Sequence, residues 1–131
     1  LGHVLPLICY EAVFPQDLRG TARPDWLLQV TNDAWFGRLT GPFQHAAQAR
    51  LRAIEQGLPL VRVANTGVTA VYDARGRETA SLPFEVAAYL DAAQPGALPA
   101  TPYARFGEEP LLVLLACLAL ALIAPLRRHR P

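Results

Sequence analysis

The chain predicts an α/β layer fold built on a mixed sheet, and three observations carry that reading. Short apolar runs at 3–8, 25–31 and 59–64 each stop at polar or turn-forming residues, as buried strands do. A helical period fills 42–56, between the second and third of these runs. Two β-rich segments, 68–72 and 78–82, flank Asp73-Ala74-Arg75-Gly76 and read as an antiparallel hairpin, with a further short strand expected at 86–90. A sheet of this kind needs cover on both faces.

The first run ends in Cys9-Tyr10-Glu11. A cysteine at the carboxyl end of a buried strand stands where α/β proteins place their chemistry. The plain alternative is a core cysteine, because free Cys packs as a small hydrophobe. Cys9 and Glu11 share one side of the strand if the extended backbone continues through them. Residues 12–24 form a polar connection in which 14–19 could make a helical turn before Gly20. The second run leads straight into Asn32-Asp33-Ala34-Trp35-Phe36-Gly37. That loop is a candidate wall for the site of Cys9, or else a surface turn whose Trp35 and Phe36 fold back into the core.

In the helix, Pro42 suits the first turn and Gly57 the C-terminal cap. Phe43, Ala47, Leu51 and Ile54 recur at helical spacing and predict the buried face, with His45, Gln48, Arg52 and Glu55 opposite. On that reading His45 is solvated and is not the partner of a Cys–His pair.

Composition bounds the function. The 131 residues suffice for one small domain, and the formal net charge of +1 supplies no basic field for nucleic acid. Every basic side chain is arginine, so a mechanism that needs lysine must draw it from elsewhere. The chain opens at Leu1 inside an apolar run and contains no methionine, as expected of the C-terminal piece of a longer protein. Cys9 and Cys117 offer no disulfide framework, and the histidines show no metal-ligand spacing.

Residues 94–109 turn to Pro, Gly and Ala and read as a linker, and 110–126 are uncharged and mostly Leu and Ala. The stretch from Leu111 to Leu126 spans about 24 Å at 1.5 Å per residue, a little under a hydrocarbon core. Tyr103 and Phe106 at one end and Arg127, Arg128 and Arg130 at the other favour a transmembrane helix over a buried one. The tail 127–131 is then cytoplasmic and the domain at 1–93 lies on the outer face.

Several stretches together resemble one family, the apolipoprotein N-acyltransferases. They are Pro-Leu-Ile-Cys-Tyr-Glu at 6–11, Thr-Asn-Asp-Ala-Trp-Phe-Gly at 31–37, Gly-Pro-Phe-Gln-His at 41–45, Asn-Thr-Gly-Val-Thr-Ala at 65–70 and Thr-Pro-Tyr-Ala-Arg at 101–105. The resemblance implies the C-terminal part of a nitrilase-like αββα sandwich followed by one transmembrane helix, with the sandwich on the periplasmic side of the bacterial inner membrane. It implies a Glu-Lys-Cys triad whose cysteine is Cys9, with the other two members upstream. Tyr10, Glu11, Asn32, Asp33 and Trp35 are the expected site-shaping residues. No cofactor or metal is implied. The expected partners are a phospholipid acyl donor, a diacylglyceryl apolipoprotein acceptor and the membrane, and not nucleic acid. The competing reading is a soluble nitrilase-type amidase or carbamoylase that uses the same cysteine.

Overall fold

The computed structural model describes residues 2–18 and 22–128, without the side chains of 124–128. Strands β1 (Val4–Ile8), β2 (Trp26–Asn32) and β3 (Leu60–Asn65) run parallel. Strands β4 (Ala70–Tyr72) and β5 (Glu78–Ser81) continue the sheet antiparallel, in the order β1-β2-β3-β4-β5. The hairpin turn is closed by Asp73, whose carboxylate accepts from the backbone N–H groups of Arg75 and Arg77 and pairs with the Arg77 guanidinium.

Helix α1 (Gly41–Gln56) ends as expected at Gly57, which takes the left-handed conformation (φ 65°) that glycine adopts at little cost. Its orientation is the reverse of the expected one. His45, Ala46, Ala49, Arg52, Ala53 and Gln56 face the sheet, whereas Phe43, Leu51 and Ile54 are 48%, 47% and 40% exposed. The reason is packing distance. A row of alanines lets the helix axis sit close over Leu27, Leu60 and Tyr72, and the polar residues beside that row meet polar partners instead of water. Outside, Phe43 stacks on Phe84 with ring centroids 5.0 Å apart.

The register of the sheet grades its covered face from apolar to polar. Leu27, Leu60 and Tyr72 lie in one row across β2, β3 and β4. The next row toward the carboxyl ends of the parallel strands is Leu7, Gln29, Arg62 and Ala70. On the opposite face, Val4, Ile8, Val30 and Val63 are between 40% and 54% exposed.

Residues 86–90 are not the expected strand. They lie across the open face near the carboxyl end of β3, where Val86, Ala87 and Ala88 line a cavity of about 340 Å³ together with Asn65, Thr66 and Gly67. Crossing the face instead of joining an edge leaves the segment no ladder to enter. The expected linker, 94–109, is fastened to the C-terminal end of α1. Leu98 N–H donates to Gly57 O, and Arg23 Nη2 donates to the carbonyls of Gln56, Gly57 and Leu98 at 3.0, 3.3 and 2.8 Å. Thr101 then caps the short helix α2 (Pro102–Phe106).

Helix α3 spans Glu109–Arg128. Among the described residues no helix is long and apolar enough to cross a membrane. The structure therefore does not establish the expected span over 110–126, whose side chains at 124–126 lie outside the described residues, as do 129–131 of the expected tail. Arg19 of the expected turn at 14–19, and Gly20 after it, also lie outside them; within that turn, a 3-10 turn forms over Pro15–Leu18.

Candidate active site

β1 stops at Ile8, and the backbone turns sharply at Cys9 into a 3-10 turn, Cys9–Val13. Cys9 has φ 50°, in the left-handed region that costs an L-residue with a Cβ on the order of 1–2 kcal/mol. Its thiol is free and exposed. A strained residue on a strand-to-helix turn, presented above the carboxyl end of a sheet, is an arrangement that suits a nucleophile.

The bend changes the expected part of Glu11. With the strand ended, the shared-side argument no longer applies, and Glu11 instead turns back so that its Oε2 accepts from the Ile8 N–H at 2.6 Å. Glu11 thereby closes the turn that carries Cys9. Tyr10, about half exposed, packs edge-on to Phe14 (5.8 Å) and against Phe36 (6.5 Å) and His45 (5.9 Å).

The loop after β2 divides its residues between surface and core. Asn32 Oδ1 caps the 3-10 turn Asp33–Phe36 by accepting from Ala34 N–H at 3.1 Å. Trp35 is 85% exposed and does not fold back, whereas Phe36 rests on His45 with centroids 5.1 Å apart. Asp33 is fully buried. One of its oxygens lies 2.9 Å from His45 Nδ1 and accepts from the Thr31 hydroxyl, and the other accepts from Arg62 Nη2 at 2.8 Å. Arg62, also fully buried, donates through Nη1 to the Val68 carbonyl. A Cβ on Gly67 would come within 2.2 Å of the Asp33 carboxylate, so only glycine lets the Asn65-Thr66-Gly67 turn close over this pair.

The cluster reaches the cysteine through Gln29. Its Nε2 donates to the Cys9 carbonyl at 3.0 Å and lies 3.2 Å from His45 Nε2. His45, expected in solvent, is 3% exposed and sits at the centre of this arrangement. Gln29, Arg62 and Thr31 were not among the sequence-derived candidates. Their signal is two polar residues interrupting apolar strands at facing register positions, since Gln29 pairs with Arg62 across β2 and β3. Among the described residues no group of three or more His, Cys, Asp and Glu side chains is placed to hold a metal ion.

A mixed sheet with a strained cysteine at the end of a parallel strand fits the class of the family model that matches residues 1–95, that for carbon-nitrogen hydrolases. The chain belongs to the carbon-nitrogen hydrolase family. Within it, the chain is similar to the apolipoprotein N-acyltransferase of Bradyrhizobium diazoefficiens, 56% identical over 95% of this chain and 23% of that protein. It is similar to that of Rhodopseudomonas palustris at 54% over 98% and 24% of the two chains, and to that of Shewanella oneidensis at 49% over 99% and 25%. The chain thus spans about a quarter of the length of these curated relatives. The crystal structure of a CN-hydrolase superfamily protein from Xanthomonas campestris shares the fold, with TM-score 0.52 and 23% identity over 63% of this chain and 36% of that one.

Proposed function

We propose that this chain carries the nucleophile of an apolipoprotein N-acyltransferase, with Cys9 as the acyl carrier. The observation that carries the reading is the exposed Cys9 thiol on its left-handed turn, in a chain 56% identical to a protein of that name. A glutamate from outside this chain takes the thiol proton, because a thiol is mostly protonated at neutral pH. The Cys9 sulfur then forms a bond to the ester carbonyl carbon of a phospholipid. As the tetrahedral intermediate collapses, the C–O bond breaks and lysophospholipid leaves with a proton, giving a thioester. The α-amino nitrogen of a diacylglyceryl-cysteine attacks that thioester carbonyl, the C–N bond forms, the C–S bond breaks, and the amine proton returns by way of the base to the sulfur. A lysine from outside the chain and the backbone N–H of Tyr10 stabilise the developing oxyanion.

In this reading the remaining layers of an αββα sandwich cover the open valine-rich face of the sheet. Helix α3 anchors the domain in the bacterial inner membrane, with the domain on the periplasmic side. Its described side chains from Leu111 to Ile123 are apolar and exposed all round, among them Leu112, Val113, Leu120 and Leu122 at 60% to 72%. A helix apolar on every side calls for lipid or for a protein interior around it. Retention of the full-length protein in the membrane pellet after carbonate extraction is the expected result, and release by carbonate overturns the anchor.

Intact-mass analysis of the full-length enzyme with phospholipid tests the chemistry. An acyl adduct on Cys9 is expected, discharged by a diacylglyceryl lipopeptide. Cys9→Ala should abolish it and lower turnover by roughly four orders of magnitude or more. Absence of any adduct, together with hydrolysis of a simple amide, would turn the assignment to an amidase.

A further inference from the structure

We propose that Gln29 and His45 are positioning residues, which hold the Cys9 peptide in its strained conformation from beneath the site. The inference rests on the reading of Cys9 as the nucleophile.

Hydrogen-bond chemistry fixes the direction of the whole relay. A backbone carbonyl can only accept, so the Gln29 atom 3.0 Å from Cys9 O is the amide nitrogen. Its second hydrogen points at His45 Nε2, 3.2 Å away, which must therefore present a lone pair. The ring proton then sits on Nδ1 and is donated to Asp33 Oδ1 at 2.9 Å. Asp33 is held in turn by Arg62 Nη2 and Thr31 Oγ1. The proximity of Arg62 Nη2 to His45 Nδ1, 3.2 Å, follows from both groups serving one carboxylate.

Gln29 Oε1 is buried without a partner among the described residues. The sense of the amide is set by its two donors, one toward the Cys9 carbonyl and one toward His45. Turning it over would set its oxygen against the Cys9 oxygen. The amide is thus oriented by the cysteine turn and by His45. Gln29 and His45 do not touch the reacting atoms; they act through the Cys9 carbonyl.

The test uses the full-length enzyme in detergent, with peptide mapping to follow alkylation of Cys9 by iodoacetamide alongside acyl-adduct formation. Gln29→Met keeps the length and removes both donors. It should slow alkylation and acylation by about ten- to a hundredfold while leaving the KM for phospholipid unchanged. His45→Gln puts an acceptor near the Nε2 position and should retain more reactivity than His45→Asn, which keeps only the side facing Asp33. Ala53→Gly, a destabilised control in the buried part of α1, should lower the melting temperature and leave both rates unchanged.

If Gln29→Met reacts as fast as Ala53→Gly, or His45→Asn matches or exceeds His45→Gln, the positioning role is overturned. Loss of the folded state in all three site variants also overturns it, in favour of a purely structural cluster. A wild-type enzyme that alkylates readily but never acquires an acyl group would sink acyl transfer alone, and the ranking of the variants would still decide this inference.

Discussion

The two faces of the sheet are built from the same strands and end in different states. Beneath α1, Leu27 and Leu60 are fully buried, and so are Gln29 and Arg62. On the other side, Val30 and Val63, each one residue further along, are both 45% exposed. Alternation along a strand assigns residues to faces but does not say what covers each face. The difference teaches that the covered face is where polarity was made safe by partners, while the open face is apolar and half-exposed.

Perturbing the buried pair should sharpen the contrast most. Asp33→Ala in the intact enzyme leaves the Arg62 guanidinium buried without its counter-charge and should cost about 3–5 kcal/mol in urea unfolding of this domain. Loss of less than about 1 kcal/mol would show that water reaches Arg62. Leu27→Ala, also on the covered face, should cost about 2–5 kcal/mol. Val63→Ala probes the opposite side. If the second half of a sandwich covers that face in the intact protein, deletion of its two methyl groups should cost about 1–2 kcal/mol, from ~0.8 kcal/mol per buried carbon. A negligible change would mean that the face stays open.

Away from the sheet, Arg23→Met removes the guanidinium that serves the carbonyls at the end of α1. It should cost about 1–3 kcal/mol and raise protease sensitivity around residues 94–100. The smallest effect is a pH dependence in the hairpin. The Arg77 backbone N–H, then the Arg77 guanidinium and the Arg75 N–H, hold the Asp73 carboxyl below its usual range. A carboxyl depressed on folding contributes stability above its unfolded value, near 3.9, and loses it as pH falls through the folded one. Asp73→Asn should therefore lower the urea midpoint at neutral pH and remove this part of the decline below about pH 4. An unchanged acid limb would place the loss elsewhere.

The positions of β1 to β5, the hairpin and the Gly57 cap were legible because each depends on neighbours within a few residues, whereas the strand expected at 86–90 does not form. The face of α1 was not. Phe43, Leu51 and Ile54 outweigh Ala46, Ala49 and Ala53 in hydrophobicity, yet the alanines win the interior because they permit closer approach. His45 and Arg52 were misjudged because a polar side chain enters a core only where partners await it, here Gln29 and Asp33 for His45 and Glu55 and the Val13 carbonyl for Arg52. Of the candidate site, Cys9 was found at its strand end, and Asp33 was found without its partners. Glu11 and Asn32 proved to cap turns.

By itself, the order of residues determined where the three strands β1, β2 and β3 run and break and put the cysteine at the first break, because backbone propensity acts locally, whereas their parallel pairing is a long-range property. Only the tertiary structure decided that Gln29, Asp33, His45 and Arg62 meet beneath that cysteine. They come from two strands, a loop and a helix, and burial together is what gives each of them a partner in place of water.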